Sequence, residues 1–126
     1  MPITLIYNSD TRIIESRFYG DFTQEEIREA VPKFAEMIKN NNCRFLLTDY
    51  RDANMKLSMT EIYNMPGVLA EVFASSGVNV LKLKRAFITA KNKKDPEFYE
   101  TVTINQGQTM RIFDNVDEAR NWLLGK

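Results

Sequence analysis

Residues Arg44-Phe45-Leu46-Leu47-Thr48-Asp49-Tyr50 decide how this chain is read. The run is short, nearly continuously apolar and polar at its end, which is the pattern of a strand buried on both faces by crossover helices. Arg85-Ala86-Phe87-Ile88-Thr89-Ala90 reads the same way, and Thr109 to Phe113 gives a last strand. Working back from the first run, Ile27, Ala30, Val31, Phe34, Met37 and Ile38 recur at helical spacing. Glu25, Glu29, Lys33, Glu36 and Lys39 take the solvated face of that helix. Thr23 and Glu26 form a capping box at its start, Pro32 predicts a kink near Arg28 to Pro32, and Asn40-Asn41-Asn42 closes it.

Working forward, Ser58 with Glu61 repeats the capping box, and Ile62, Leu69, Val72 and Phe73 supply an apolar stripe that Gly77 ends. Asn64-Met65-Pro66-Gly67 interrupts it, which predicts two short helices or one strongly bent one. Asp95 as N-cap with Pro96 at the first helical position starts a third helix, with Phe98, Tyr99 and Val102 towards the core and Gly107 as its C-terminal cap. Asn115 and Glu118 cap a final helix that buries Val116, Ala119, Trp122 and Leu123. At the other end, Ile3 to Tyr7 and Arg12 to Tyr19 flank the turn residues Asn8-Ser9-Asp10, giving an antiparallel hairpin that Gly20 ends. The sum is one α/β domain over residues 1–126 with the order ββαβαβαβα. Its five-stranded sheet is expected to be mostly parallel, with an N-terminal antiparallel hairpin, four helices and right-handed crossovers.

Bulk composition narrows the chemistry. With 126 residues there is room for one ordinary core. Lys plus Arg and Asp plus Glu are both 17, so no global field draws the chain to nucleic acid, which is not expected as a partner. Histidine is absent, which removes the usual general base and the common transition-metal ligand, and Cys43 is the single cysteine, which excludes an internal disulfide. Neither a metal nor a cofactor is expected. No stretch approaches the length of a membrane span, and MPITLIYNSD has no leader pattern, so a cytoplasmic location is the expectation.

Parallel sheets of this kind bind ligands where strands end and helices begin, here Asp49 to Ser58, Ala90 to Asp95 and Phe113 to Asn115. Asp49 and Asp52 are hard oxygen ligands for a cation, but no third acid follows at regular spacing and Arg51 offers simple ion pairing. Lys91, Lys93 and Lys94 lead into the negative charges of Asp95 and Glu97 and read as a solvated turn. Lys82, Lys84 and Arg85 read as a strand entrance. Met55, Met59 and Met65 surround the bend at Pro66-Gly67, where thioethers most often fill a core but also suit an adaptable groove under a movable flap. Ser58 places a hydroxyl at a helix start, where a phosphate is electrostatically tolerated.

The order of elements resembles the STAS domains of anti-sigma-factor antagonists, the SpoIIAA-like fold, and uncharacterised bacterial relatives grouped with CRAL-TRIO lipid-transfer modules. The resemblance spans nearly the whole chain. It is carried by Gly20-Asp21-Phe22-Thr23, by Phe45 to Asp52, by Lys84-Arg85-Ala86-Phe87-Ile88, and by Met110 to Asp114 leading to Glu118-Ala119 and Trp122-Leu123. It implies a partner-docking surface around Ser58, which stands where the antagonists carry a phosphorylated serine. Their Asp-Ser-Ser-Gly type of sequence is replaced here by Lys56-Leu57-Ser58-Met59-Thr60.

The leading expectation is a non-enzymatic binding or regulatory module contacting a protein partner through Asp49, Arg51, Asp52, Met55, Ser58, Met59 and Met65. The alternative is a small carrier or sensor of an apolar ligand or lipid. A hydrolase or transferase using Asp49 or Asp52 ranks last, and a homodimer through an exposed apolar helix is compatible with the pattern.

Overall fold

In the computed structural model the described residues are 3–90, 100, 101, 103, 104 and 107–126. Strands β1 (Ile3–Asn8) and β2 (Ile13–Phe22) pair antiparallel. The turn between them is held by Asn8, whose Oδ1 accepts the Asp10 N–H at 3.0 Å and whose carbonyl accepts the Arg12 N–H at 2.8 Å. Such side-chain mimicry of a turn is what asparagine does best. The second strand does not stop at Gly20 but continues to Phe22, with Gly20 at φ +70° inside it.

Helix α1 (Gln24–Asn41) starts on the expected reciprocal cap between Thr23 and Glu26, and Asn42 closes it in the left-handed conformation. It remains one helix through Pro32, because the carbonyl of Arg28 that loses its donor lies on an exposed residue open to water. Strand β3 (Phe45–Met55) follows, then helix α2 (Met59–Ser75), capped by Ser58 and Glu61. Two short helices are not formed at Pro66-Gly67. Ile62, Met65, Pro66, Leu69 and Phe73 bury one continuous stripe across the interruption, and tertiary packing of that stripe outweighs the local penalty of proline and glycine.

Strand β4 (Lys84–Ile88), strand β5 (Thr109–Phe113) and helix α3 (Val116–Leu124) complete the delimited elements. The expected helix from Asp95, its core residues Phe98, Tyr99 and Val102, and the basic loop at Lys91, Lys93 and Lys94 lie outside the described residues. Glu100, Thr101, Thr103 and Ile104 are helical. The architecture is an α/β domain with a mixed five-stranded sheet in the order β1-β2-β3-β4-β5 and three delimited helices. The pairings β2–β3, β3–β4 and β4–β5 are all parallel, so the strands at Phe45, Lys84 and Thr109 do share one direction.

The sheet separates two cores. On one face Phe18, Val31, Phe34, Leu46, Leu69 and Phe73 join α1 and α2 to the strands. On the other, Ile13, Leu47, Ala86 and Ile88 pack against Ala119 and Leu123 of α3. No described helix is long and apolar enough to cross a membrane.

One irregularity sets the geometry of everything that follows. Arg17 pairs with Asp49, but Tyr19 pairs with Asp52, so Tyr50 and Arg51 together stand opposite Phe18. This is a β-bulge, and one extra residue exchanges the faces of all side chains beyond it. Leu46, Thr48 and Tyr50 point to the α1–α2 side before the bulge, and Ala53 and Met55 do so after it. The stretch expected as a loop from Asp49 is therefore strand up to Met55, continued by its pairing with β2 after β4 has ended at Ile88.

Candidate functional site

The sheet divides the residues expected to form one surface. Asp49 and Arg51 stand on the α3 side, beside Glu15, Arg17 and Arg120. Arg51 engages Asp49 through three donors: its backbone N–H reaches Oδ1 at 2.9 Å, Nε reaches Oδ1 at 3.0 Å and Oδ2 at 3.2 Å, and Nη2 reaches Oδ2 at 2.8 Å. Arg17 bonds Asp52 and lies 3.9 Å from Asp49 Oδ2. Partial burial pushes the Asp49 carboxyl up, but the hydrogen bonds and charge of Arg51, with that of Arg17, outweigh it and hold the group below the usual carboxylate range. A carboxylate so engaged is a structural ion pair, the reading that Asp49 and Asp52 invited in the sequence. Among the described residues no three acids or cysteines converge in a way that could hold a metal ion.

Ser58 performs its capping role, accepting the Glu61 N–H at 3.1 Å while Glu61 Oε1 accepts the Ser58 N–H at 2.9 Å. Met59 is 53% exposed and Tyr63, one turn later, is 59% exposed, so the two make a small apolar patch at the start of α2. Met65 does not belong with Met59: it is buried at 2% exposure, on the inner face of α2.

Met55 and Met65 instead meet at a partly open cavity of about 50 Å³ between the sheet and the α1–α2 pair. Its walls are apolar, with Phe18, Val31, Phe34, Leu69 and Phe73 among them. Ile27, Tyr50, Met55 and Leu57 are only partly buried and mark the end at which it meets solvent. A ladder of rings crosses the strands beside it: Phe18 to Tyr50 with centroids at 5.1 Å, Phe22 to Tyr50 at 5.6 Å and Tyr50 to Phe87 at 5.0 Å. Aromatic pairs at these separations pack favourably and resist collapse into a void. By sheet alternation, only the bulge at Tyr50 and Arg51 brings both Tyr50 and Met55 to this face.

One wall of the cavity is not apolar. Arg85, on β4, lines it with a residue exposure of only 3%. Its Nη2 donates to Gln108 Oε1 at 2.6 Å, and its guanidinium carbon lies 5.7 Å from the Phe87 ring centroid. Gln108 is held in turn by its Nε2, which donates to the Pro66 carbonyl at 2.8 Å. The buried Arg85 Nε has no hydrogen-bond partner, and among the described residues no carboxylate pairs with the guanidinium. Sequence reasoning placed Arg85 at a strand entrance and gave it no part in a site. The available signal was its position two residues before Phe87 in a buried strand, which puts both side chains on one face.

No protein-family model matches the sequence, and no curated protein does. Among solved structures, an uncharacterised protein of the DUF3478 family with a SpoIIAA-like fold, from Shewanella loihica PV-4, superposes with a TM-score of 0.60. The match covers 97% of this chain and 92% of that one at 15% sequence identity. The fold is SpoIIAA-like. At that identity the likeness concerns architecture alone. Within the SpoIIAA-like frame, the Ser58 region occupies the start of the helix after the central strand, as the sequence resemblance implied, and the cavity lies beneath that same helix.

Proposed function

We propose that this chain is a non-enzymatic SpoIIAA-like binding module that holds a small apolar ligand between its sheet and helices α1 and α2. The observation that carries the reading is the apolar cavity reached between Met55, Leu57 and Tyr50 and floored by Met65 and Leu69. A volume near 50 Å³ admits a few water-sized groups. Methionine side chains rearrange at little expense, so Met55 and Met65 can yield to a longer tail. Methyl-labelled methionine gives the test: titration with toluene or 1-hexanol should shift the Met55 and Met65 methyl signals saturably while leaving Met59 in place. No saturable shift at either inner methionine removes the reading.

A second reading, contact with a protein partner, is favoured by the exposed pair Met59 and Tyr63 next to the capping Ser58. Affinity capture with Ser58→Asp and Met59→Lys combined should then lose partners held by the unaltered chain. Unchanged partners would count against that surface.

A further inference from the structure

Arg85 sets a cationic guanidinium into the cavity wall. It has been taken out of water, yet among the described residues it meets only the amide oxygen of Gln108 and the face of Phe87. A buried cation without an anion is a costly arrangement, and functional sites are where proteins keep such arrangements. Of the guanidinium's five N–H donors the Gln108 bond takes one, and the buried Nε is left unsatisfied. The donor set that remains suits a planar, two-oxygen acceptor carrying a single negative charge. Apart from the hydroxyls of Thr48 and Tyr50, the remainder of the wall is apolar and suits a hydrocarbon tail.

Building on the apolar-ligand reading, we propose that the cavity takes a small monocarboxylate, its carboxylate against Arg85 and its hydrocarbon part among Phe18, Met65, Leu69 and Phe73. A phosphate is the poorer match, because its second charge finds no further cation among the described cavity residues. The ligand would complete the polar chain that runs from the Pro66 carbonyl through Gln108 to Arg85. That chain already ties the middle of α2 to β4.

Calorimetric titration of hexanoate and of 1-hexanol, with the Arg85 Nε–H resonance followed in parallel, tests this. The acid should bind at least about tenfold more tightly than the alcohol, since a charge-assisted contact to a buried guanidinium is worth that much. The Nε–H signal should shift with the acid alone. Arg85→Met should abolish the preference, and Arg85→Lys should keep part of it. Equal binding of acid and alcohol by the unaltered protein would overturn the carboxylate proposal and leave the cavity reading standing. Binding of neither would overturn both. Because this comparison uses the unaltered chain, it decides the matter even if a variant fails to fold.

Discussion

Replacing Arg85 by methionine asks whether the buried charge stabilises the ligand-free protein or is carried at its expense. Arg85 is 3% exposed, and withdrawing a guanidinium from water costs several kcal/mol even after relaxation. Against this stand a hydrogen bond from a charged donor to Gln108, worth about 1.5–3 kcal/mol, and a ring contact with Phe87 worth about 1 kcal/mol. Methionine removes all three effects, fills similar space and leaves Gln108 Oε1 unpaired, a penalty of about 1–3 kcal/mol. These contributions nearly cancel, so Arg85→Met alone should lie within about 1 kcal/mol of the unaltered protein. Gln108→Leu alone strips the guanidinium of its acceptor and should destabilise by about 3 kcal/mol. The double variant relieves both orphaned groups and should be more stable than either single one, with a coupling well above the few tenths expected of independent sites. Urea unfolding with unchanged m-values provides the measurement. A loss of about 3 kcal/mol or more for Arg85→Met, with no rescue in the double variant, would refute the reasoning, because it would mean the charge is already compensated.

The Asp49 carboxyl is held low in the folded chain, so the unfolded state binds its proton first and stability rises with pH across that range. The Asp49 contribution should be complete above the ordinary carboxyl value of about 4 and disappear as pH falls through the lower folded value. Thermal melts against pH should show Asp49→Asn flattening this acid limb, and parallel curves for the two proteins would contradict the assignment. Gly67 sits on the outer face of α2 with nothing within 4 Å of a built Cβ. Gly67→Ala should therefore stabilise by about 0.5–1 kcal/mol, visible as a melting point raised by a few degrees. Ser58→Ala should cost about 1 kcal/mol through loss of the cap on Glu61, whereas Ser58→Asp should retain most of it, and equal losses for the two would show that capping is not the role of the side chain.

Much of this architecture is legible from neighbours in the chain. The caps Thr23 with Glu26, Ser58 with Glu61 and Asn115 before Glu118 were readable because capping joins residues three apart and needs nothing distant. The buried strands at Phe45 and Lys84 were readable because both faces of an inner parallel strand demand apolar residues. Tertiary structure decided the rest. The extension of β3 to Met55 depends on pairing with β2, more than thirty residues earlier in the chain. The bulge at Tyr50 and Arg51 assigned Asp49 and Met55 to opposite faces, and no residue type announces where an extra residue will be accommodated. Arg85 read as part of a strand entrance because charge is local, whereas its role depends on what the distant helix α2 and Gln108 place beside it. The sequence by itself determined which segments would be strand, helix and cap. Only the folded chain determined that an arginine and two methionines would share a cavity, because facing and burial arise from register and packing between segments far apart.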